Sequence, residues 1–249
     1  MDLVQAIFLG ALQGITEWLP ISSQGQVALT ALQMFNIPGG EALRFAFILH
    51  IGTLIAATIY FRKDLAGLGK KENRPLLRFL AIAVLATAVT GFPAYFFIKA
   101  ISGSTFLLTI AIGFFLVLTG IIQLGKKGKQ KAEMNNSNAL ILGLAQGFSV
   151  LPGISRSGIT SAALLVKGFN PEKAFRLSFI LSVPSVFLGE IALGVFEGTA
   201  FQFEMIAAII AAAITGLVSI HILLSVVKRV NFAGLCIAFG LLYFLIAFL

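Results

Sequence analysis

The chain has 249 residues, of which 58% are hydrophobic and only 11% charged, and its mean hydropathy is +0.99. An average soluble domain carries about 25% charged residues, so this sequence cannot cover a water-facing surface and reads as a polytopic membrane protein. The net charge of +8 sits in short stretches between apolar runs (Arg62, Lys63, Lys70, Lys71, Arg74 and Arg78; then Lys126, Lys127, Lys129 and Lys131; then Lys228 and Arg229), which is the distribution of cytoplasmic loops and excludes nucleic acid as a partner. A single cysteine, Cys236, excludes a disulfide framework, and two distant histidines, His50 and His221, exclude a zinc-hydrolase motif.

The first stretch, residues 3–35, is apolar but interrupted by Thr16-Glu17-Trp18-Leu19-Pro20-Ile21-Ser22-Ser23-Gln24-Gly25. Neither flank is long enough to cross a bilayer core comfortably, and irregular backbone at that depth survives only inside protein or along a wet cavity. A re-entrant helical hairpin is predicted here. Three spans follow, at about 44–61, 79–98 and 104–125. A second interrupted stretch, 137–168, breaks at Pro152-Gly153-Ile154-Ser155-Arg156-Ser157-Gly158 and reads as a second hairpin. Three more spans are predicted at 174–196, 204–227 and 231–249.

The two hairpins are related. With an offset of 133 residues, Leu9, Gly10, Gln13, Gly14, Ile21, Ser22 and Gly25 coincide with Leu142, Gly143, Gln146, Gly147, Ile154, Ser155 and Gly158. The chain therefore reads as two homologous halves, 1–135 and 136–249, in one membrane domain. An odd number of spans per half makes their orientations opposite. Loop 197–204 carries Glu197 and Glu204 but no Lys or Arg, as an outer loop should. Inverted repeats with broken helices place their polar tips face to face near the midplane.

The tips carry the chemistry. Gln13 and Glu17 share a helical face, and a carboxylate at membrane depth is costly unless it is paired or functional. Glu17 suits a general base or a ligand to a hard divalent cation; alternatively it caps a helix or pairs with arginine for packing. Ser22 and Ser23 suit an N-cap, a nucleophile or a phosphate donor. Arg156 offers a planar, permanently charged fork to phosphate, with Gly153, Ser155, Ser157 and Thr160 adding donors near a helix N-terminus. A diphosphate on a lipid tail fits such a site best, because the tail stays in hydrocarbon. Composition does not separate its hydrolysis from its transport. Arg44 and Arg176 are expected to pair locally with Glu41 and Glu172, and Glu190 to reach the interface. His50 is expected to be an ordinary buried or lumen-facing histidine, the alternative being that it serves as a base beside Glu17.

Gln13-Gly-Ile-Thr-Glu17-Trp-Leu-Pro-Ile-Ser22-Ser23, Pro152-Gly-Ile-Ser155-Arg156-Ser157-Gly-Ile-Thr160 and the six-span layout together resemble the undecaprenyl-diphosphate phosphatase family, the bacitracin-resistance type. The resemblance covers essentially the whole chain. It implies a hydrolase that removes the terminal phosphate of undecaprenyl diphosphate, recycling a carrier lipid for cell-wall glycans. It also implies a multi-pass plasma-membrane protein whose site opens outward and uses Mg²⁺ or Ca²⁺. By that resemblance Glu17, with Gln13, binds the metal and activates attack, Ser23 is the nucleophile and Arg156 grips the diphosphate. One position departs: the family commonly has histidine where this chain has Gln26, and glutamine cannot shuttle a proton near neutral pH. That departure, with the inverted repeats, keeps two other readings open: a polyprenyl-phosphate transporter or flippase, and a catalytically impaired lipid-binding paralogue. The sequence does not fix the oligomeric state, a homo-oligomer included.

Overall fold

A computed structural model describes residues 1–125, 133–197, 202–226 and 231–248. Lys126, Lys127, Lys129, Lys131, Lys228 and Arg229, and residues 198–201 of the expected outer loop, lie outside the described residues. Among those described, every regular element is helical.

The first interrupted stretch is two short helices, α1 (Leu3–Thr16) and α2 (Ser23–Met34), joined by the tip residues 17–22. Next come α3 (Gly39–Ile48) and α4 (His50–Tyr60), which continue one another through Leu49. Together Gly39–Tyr60 is long and apolar enough to cross a membrane. A short α5 (Arg62–Gly67) precedes two long helices, α6 (Arg74–Ile101) and α7 (Thr105–Gln123). The second interrupted stretch is α8 (Asn136–Gly147) and α9 (Arg156–Val166), separated by a 3₁₀ turn and the Pro152-Gly153 bend. Finally come α10 (Pro171–Glu197), α11 (Phe203–Val226) and α12 (Phe232–Ala247).

Five spans are long and apolar enough to cross a membrane by length and composition; α12, the sixth expected, has 16 residues. The chain is an integral membrane protein with several spans. Its outward surface is apolar as lipid requires: Leu85, Val89, Phe97, Phe114 and Ile214 are all more than half exposed.

Small residues let the hairpins dock. α1 packs on α11, and α8 packs on α6. A methyl group on Gly10 would run into the carbonyl of Ala208, and one on Gly143 into that of Ala83. Gly14 lies against Thr215 and Gly216 in the way that Gly147 lies against Thr90 and Gly91. Thr215 donates to the carbonyl of Ala11 at 3.3 Å, and Thr90 to that of Leu144 at 2.8 Å, three residues before each glycine. The third helices, α7 and α12, meet through Gly113 and Gly240, each against the other's carbonyl. Close backbone approach through small residues is how helices associate where no water-driven force acts between them.

Candidate active site

Each tip ends in a helix whose first turn is capped by a serine. Ser22 caps α2 and Ser155 caps α9, their hydroxyl oxygens accepting from Gly25 N–H (3.4 Å) and Gly158 N–H (3.2 Å). The residue after each cap opens its helix: Ser23 in α2 and Arg156 in α9. These two residues occupy corresponding positions in the hairpin alignment, so one helix N-terminus carries a hydroxyl and the other a guanidinium.

Glu17 is where they meet. It closes the C-terminal end of α1 and is 6% exposed. Arg156 Nη2 donates to its Oε1 at 2.5 Å, while Ser23 Oγ and Gln13 Nε2 each donate to its Oε2 at 2.7 Å. Arg156 Nη1 also donates to the Ser178 carbonyl at 3.4 Å, and its guanidinium carbon lies 5.9 Å from the Trp18 ring. Trp18 is buried, donating to the Gly216 carbonyl at 2.8 Å and packing edge-on against Phe179. An anion at a helix C-terminus and a cation at a helix N-terminus each oppose their own helix dipole. The ion pair between them compensates both, and the N-terminal end of α9 faces the Glu17 carboxylate favourably.

The tips are laced together at backbone level. Gly153, with φ of +105°, donates its N–H to Ser22 Oγ at 2.8 Å and accepts from Thr119 Oγ1 at 2.9 Å. Ser157 Oγ donates to the Leu19 carbonyl at 3.2 Å. The Pro20 carbonyl accepts from Gln123 Nε2 at 2.8 Å and from Cys236 Sγ at 2.9 Å. Ser22 itself adopts φ of +60°, a conformation that a non-glycine residue holds only where its surroundings enforce it. Those crossing bonds are the enforcement.

A cavity of about 340 Å³ opens beside the ion pair. Glu17, Ser22, Ser23, Ser155 and Arg156 line it, with His50 and Gln24. Val84, Ala88 and Phe92 of α6 and Leu188, Ala192 and Leu193 of α10 supply apolar wall, with Thr87, Gln146, Ser149, Ser185 and Glu190 as polar residues among them.

Of the residues singled out in the sequence, Glu17, Ser22, Ser23, Ser155 and Arg156 reach this cavity. Gln13 stands directly behind, on the Glu17 carboxylate. Gly153, Ser157 and Thr160 do not line it; their polar groups hold the tip, Thr160 Oγ1 bonding the Arg156 carbonyl and Ser178 Oγ, both at 2.6 Å. Gln26 is also off the cavity. Its amide nitrogen donates to the Ile21 carbonyl at 3.2 Å and its oxygen accepts from Tyr243 at 2.6 Å.

Two further residues reach the site. His50 lines the cavity with Nε2 3.5 Å from Glu17 Oε2. Its Nδ1 sits 2.9 Å from the Ala46 carbonyl and 3.1 Å from that of Phe47, contacts that anchor the ring with Nε2 toward the carboxylate. The position of His50, 33 residues beyond Glu17, gave no local signal of this contact. Gln24, one residue past Ser23, lines the cavity too. Arg176 corrects another expectation: it pairs with Asp64 of α5 at 2.6 Å, not with Glu172.

Comparison with known proteins places the chain. Residues 6–242 match the family described as Bacitracin resistance protein BacA. Among curated relatives, a protein of Methanococcoides burtonii named Undecaprenyl-diphosphatase is 38% identical over all of both chains. Proteins of the same name from Methanothrix thermoacetophila (38%, over 97% of this chain and 96% of that one) and Syntrophotalea carbinolica (37%, over 99% and 100%) are similar throughout.

Proposed function

This chain belongs to the Bacitracin resistance protein BacA family, and from that premise we propose that it is a membrane phosphatase which hydrolyses undecaprenyl (polyprenyl) diphosphate to the monophosphate and inorganic phosphate, returning the carrier lipid to use. The observation that carries the reading is the buried Ser23–Glu17–Arg156 constellation at the wall of a mostly apolar cavity.

The residues divide the work. Arg156 holds the terminal phosphate, exchanging part of its contact with Glu17 for phosphate oxygens and stabilising charge on them as the transition state forms. Ser23 Oγ, already donating to Glu17 Oε2, attacks the terminal phosphorus in line with the bridging oxygen. Its proton passes to Glu17 as the new Ser–O–P bond forms. The P–O bond to the bridging oxygen breaks, and prenyl monophosphate leaves. Glu17 passes that proton to the departing monophosphate; water then attacks the phosphoserine with Glu17 taking its proton, which goes to Ser23 Oγ as the Ser–O–P bond breaks and inorganic phosphate is released. His50 Nε2 lies 3.5 Å from Glu17 Oε2, the oxygen that Arg156 leaves to Ser23 and Gln13.

A divalent cation, Mg²⁺ or Ca²⁺, suits the donors present. Gln13 Oε1 is buried without a partner beside Glu17, and hard cations take oxygen ligands. Among the described residues no three His, Cys, Asp or Glu side chains cluster, so Glu17 and Gln13 would share the ion with phosphate oxygens and water. The ion would supply positive charge to the diphosphate.

The apolar wall between α6 and α10 accommodates the start of the prenyl tail. The cavity extends toward Tyr95 and Leu193, at the ends of these helices remote from Arg62, Lys63, Arg74 and Arg78. With the basic ends cytoplasmic, the site opens to the outer face of the plasma membrane. The paired contacts Gly14–Thr215 and Gly147–Thr90 support two repeats of opposite orientation.

The test is made in sealed liposomes loaded with a polyprenyl diphosphate. The reading predicts inorganic phosphate in the medium; lipid moved between leaflets with no phosphate released would replace the phosphatase by a transporter.

A further inference from the structure

Three buried side-chain polar atoms have no hydrogen-bond partner among the described residues: Gln13 Oε1, Gln146 Oε1 and Gln24 Nε2. A buried orphan of this kind costs stability and calls for a ligand or water to explain it. The chemistry of the three differs. Gln146 is fixed by its neighbours: Thr87 and Ser185 donate their own protons to the Ala83 and Leu181 carbonyls, so each hydroxyl oxygen accepts from Gln146 Nε2, at 2.9 and 2.7 Å. Its free oxygen can only accept. Gln13 is likewise fixed, its nitrogen spent on Glu17. An ionised phosphate also only accepts, so neither of these two atoms can bind one.

Gln24 Nε2 is the exception, a donor. The residue is 5% exposed, lines the cavity, and stands in the first turn of the 12-residue α2, where the helix end favours an anion. It follows Ser23 immediately. Consecutive helical positions diverge by about 100°, so Gln24 enters the cavity from a different direction than Ser23 Oγ. We propose that Gln24 donates its amide N–H to the phosphate that is not transferred, the one bonded to the prenyl chain, and so forms a subsite for the prenyl-linked phosphate. The proposal deepens the phosphatase reading and rests on it for the position of the transferred group. The subsite would recognise both substrate and lipid product, since the prenyl-linked phosphate is common to them.

The experiment is a binding measurement on the full chain in detergent, with farnesyl monophosphate and inorganic phosphate as separate probes, comparing wild type with Gln24→Leu. The substitution keeps bulk and removes the orphan donor, so thermal stability without ligand should hold or rise, which separates a binding loss from misfolding. Gln24→Met serves if the leucine variant is poorly folded. Farnesyl monophosphate should bind about tenfold more weakly, the worth of one hydrogen bond to a charged group, with inorganic phosphate unchanged. In turnover, KM for the diphosphate should rise with kcat little altered. Unchanged farnesyl monophosphate affinity overturns the proposal. An equal loss for both probes also overturns it, by assigning Gln24 to the transferred phosphate. Because binding is read without turnover, wild-type protein that binds the monophosphate but releases no phosphate would count against the phosphatase reading alone.

Discussion

At the scale of single residues, the site was legible where a residue was chemically out of place. Glu17 and Arg156 announce themselves as charges in apolar runs. Aligning the hairpins predicted that the two tips face one another; the Glu17–Arg156 ion pair across 139 residues, weighed there only as a packing alternative, is what the structure adds. What stayed hidden were contacts made by tertiary packing: His50 reaching Glu17 from α4, and Gln26 turning away to Tyr243 of α12. Two predictions follow from those contacts. Gln26→His should leave turnover within about threefold of wild type, because the side chain is held off the cavity; a gain of tenfold or more in phosphate release would show that position 26 does reach the reacting atoms. Removing one partner of a buried ion pair strands the other, at about 3–5 kcal/mol. Glu17→Gln should therefore lower the thermal unfolding temperature, and Glu17→Gln/Arg156→Met should recover part of the loss, whereas additive losses would mean that the pair is not a pair.

Helices and their contacts form the next scale. The interrupted stretches and the long spans were readable from length and apolar content, because a bilayer fixes how many residues cross it. The junction at Leu49 within the first span was not readable: Phe45 to Thr53 contains neither proline nor an uninterrupted polar signal, and Gly52 serves packing against α11. Glycines in the hairpins did carry information, since those that align are those that dock. Gly14→Ala and Gly147→Ala should each cost about 1–3 kcal/mol in thermal or denaturant unfolding, the range of overpacking at a tight site. Gly189→Ala, whose added methyl meets nothing within 4 Å, should cost nothing. Equal behaviour of all three would contradict the docking described.

For the whole molecule, the reading joins topology to chemistry. Two hairpins of related sequence bring unlike residues to like positions, so that one helix end presents a hydroxyl and the other a guanidinium. Orientation was inferred from Lys and Arg in the loops and is open to direct labelling. Gly69 and Gly103 lie at opposite ends of α6 with open space around them. A cysteine at Gly103 should react with a membrane-impermeant maleimide on intact cells and one at Gly69 only after permeabilisation; the reverse pattern would turn the site inward.

The central claim, that Ser23, Glu17 and Arg156 act as one phosphoryl-transfer unit, is met most directly by inorganic phosphate release from a polyprenyl diphosphate by purified protein carrying Ser23→Ala, Glu17→Gln or Arg156→Ala, each verified as folded by its unfolding transition. All three should fall at least a hundredfold below wild type. A folded variant of any of the three that turns over at the wild-type rate would contradict the account.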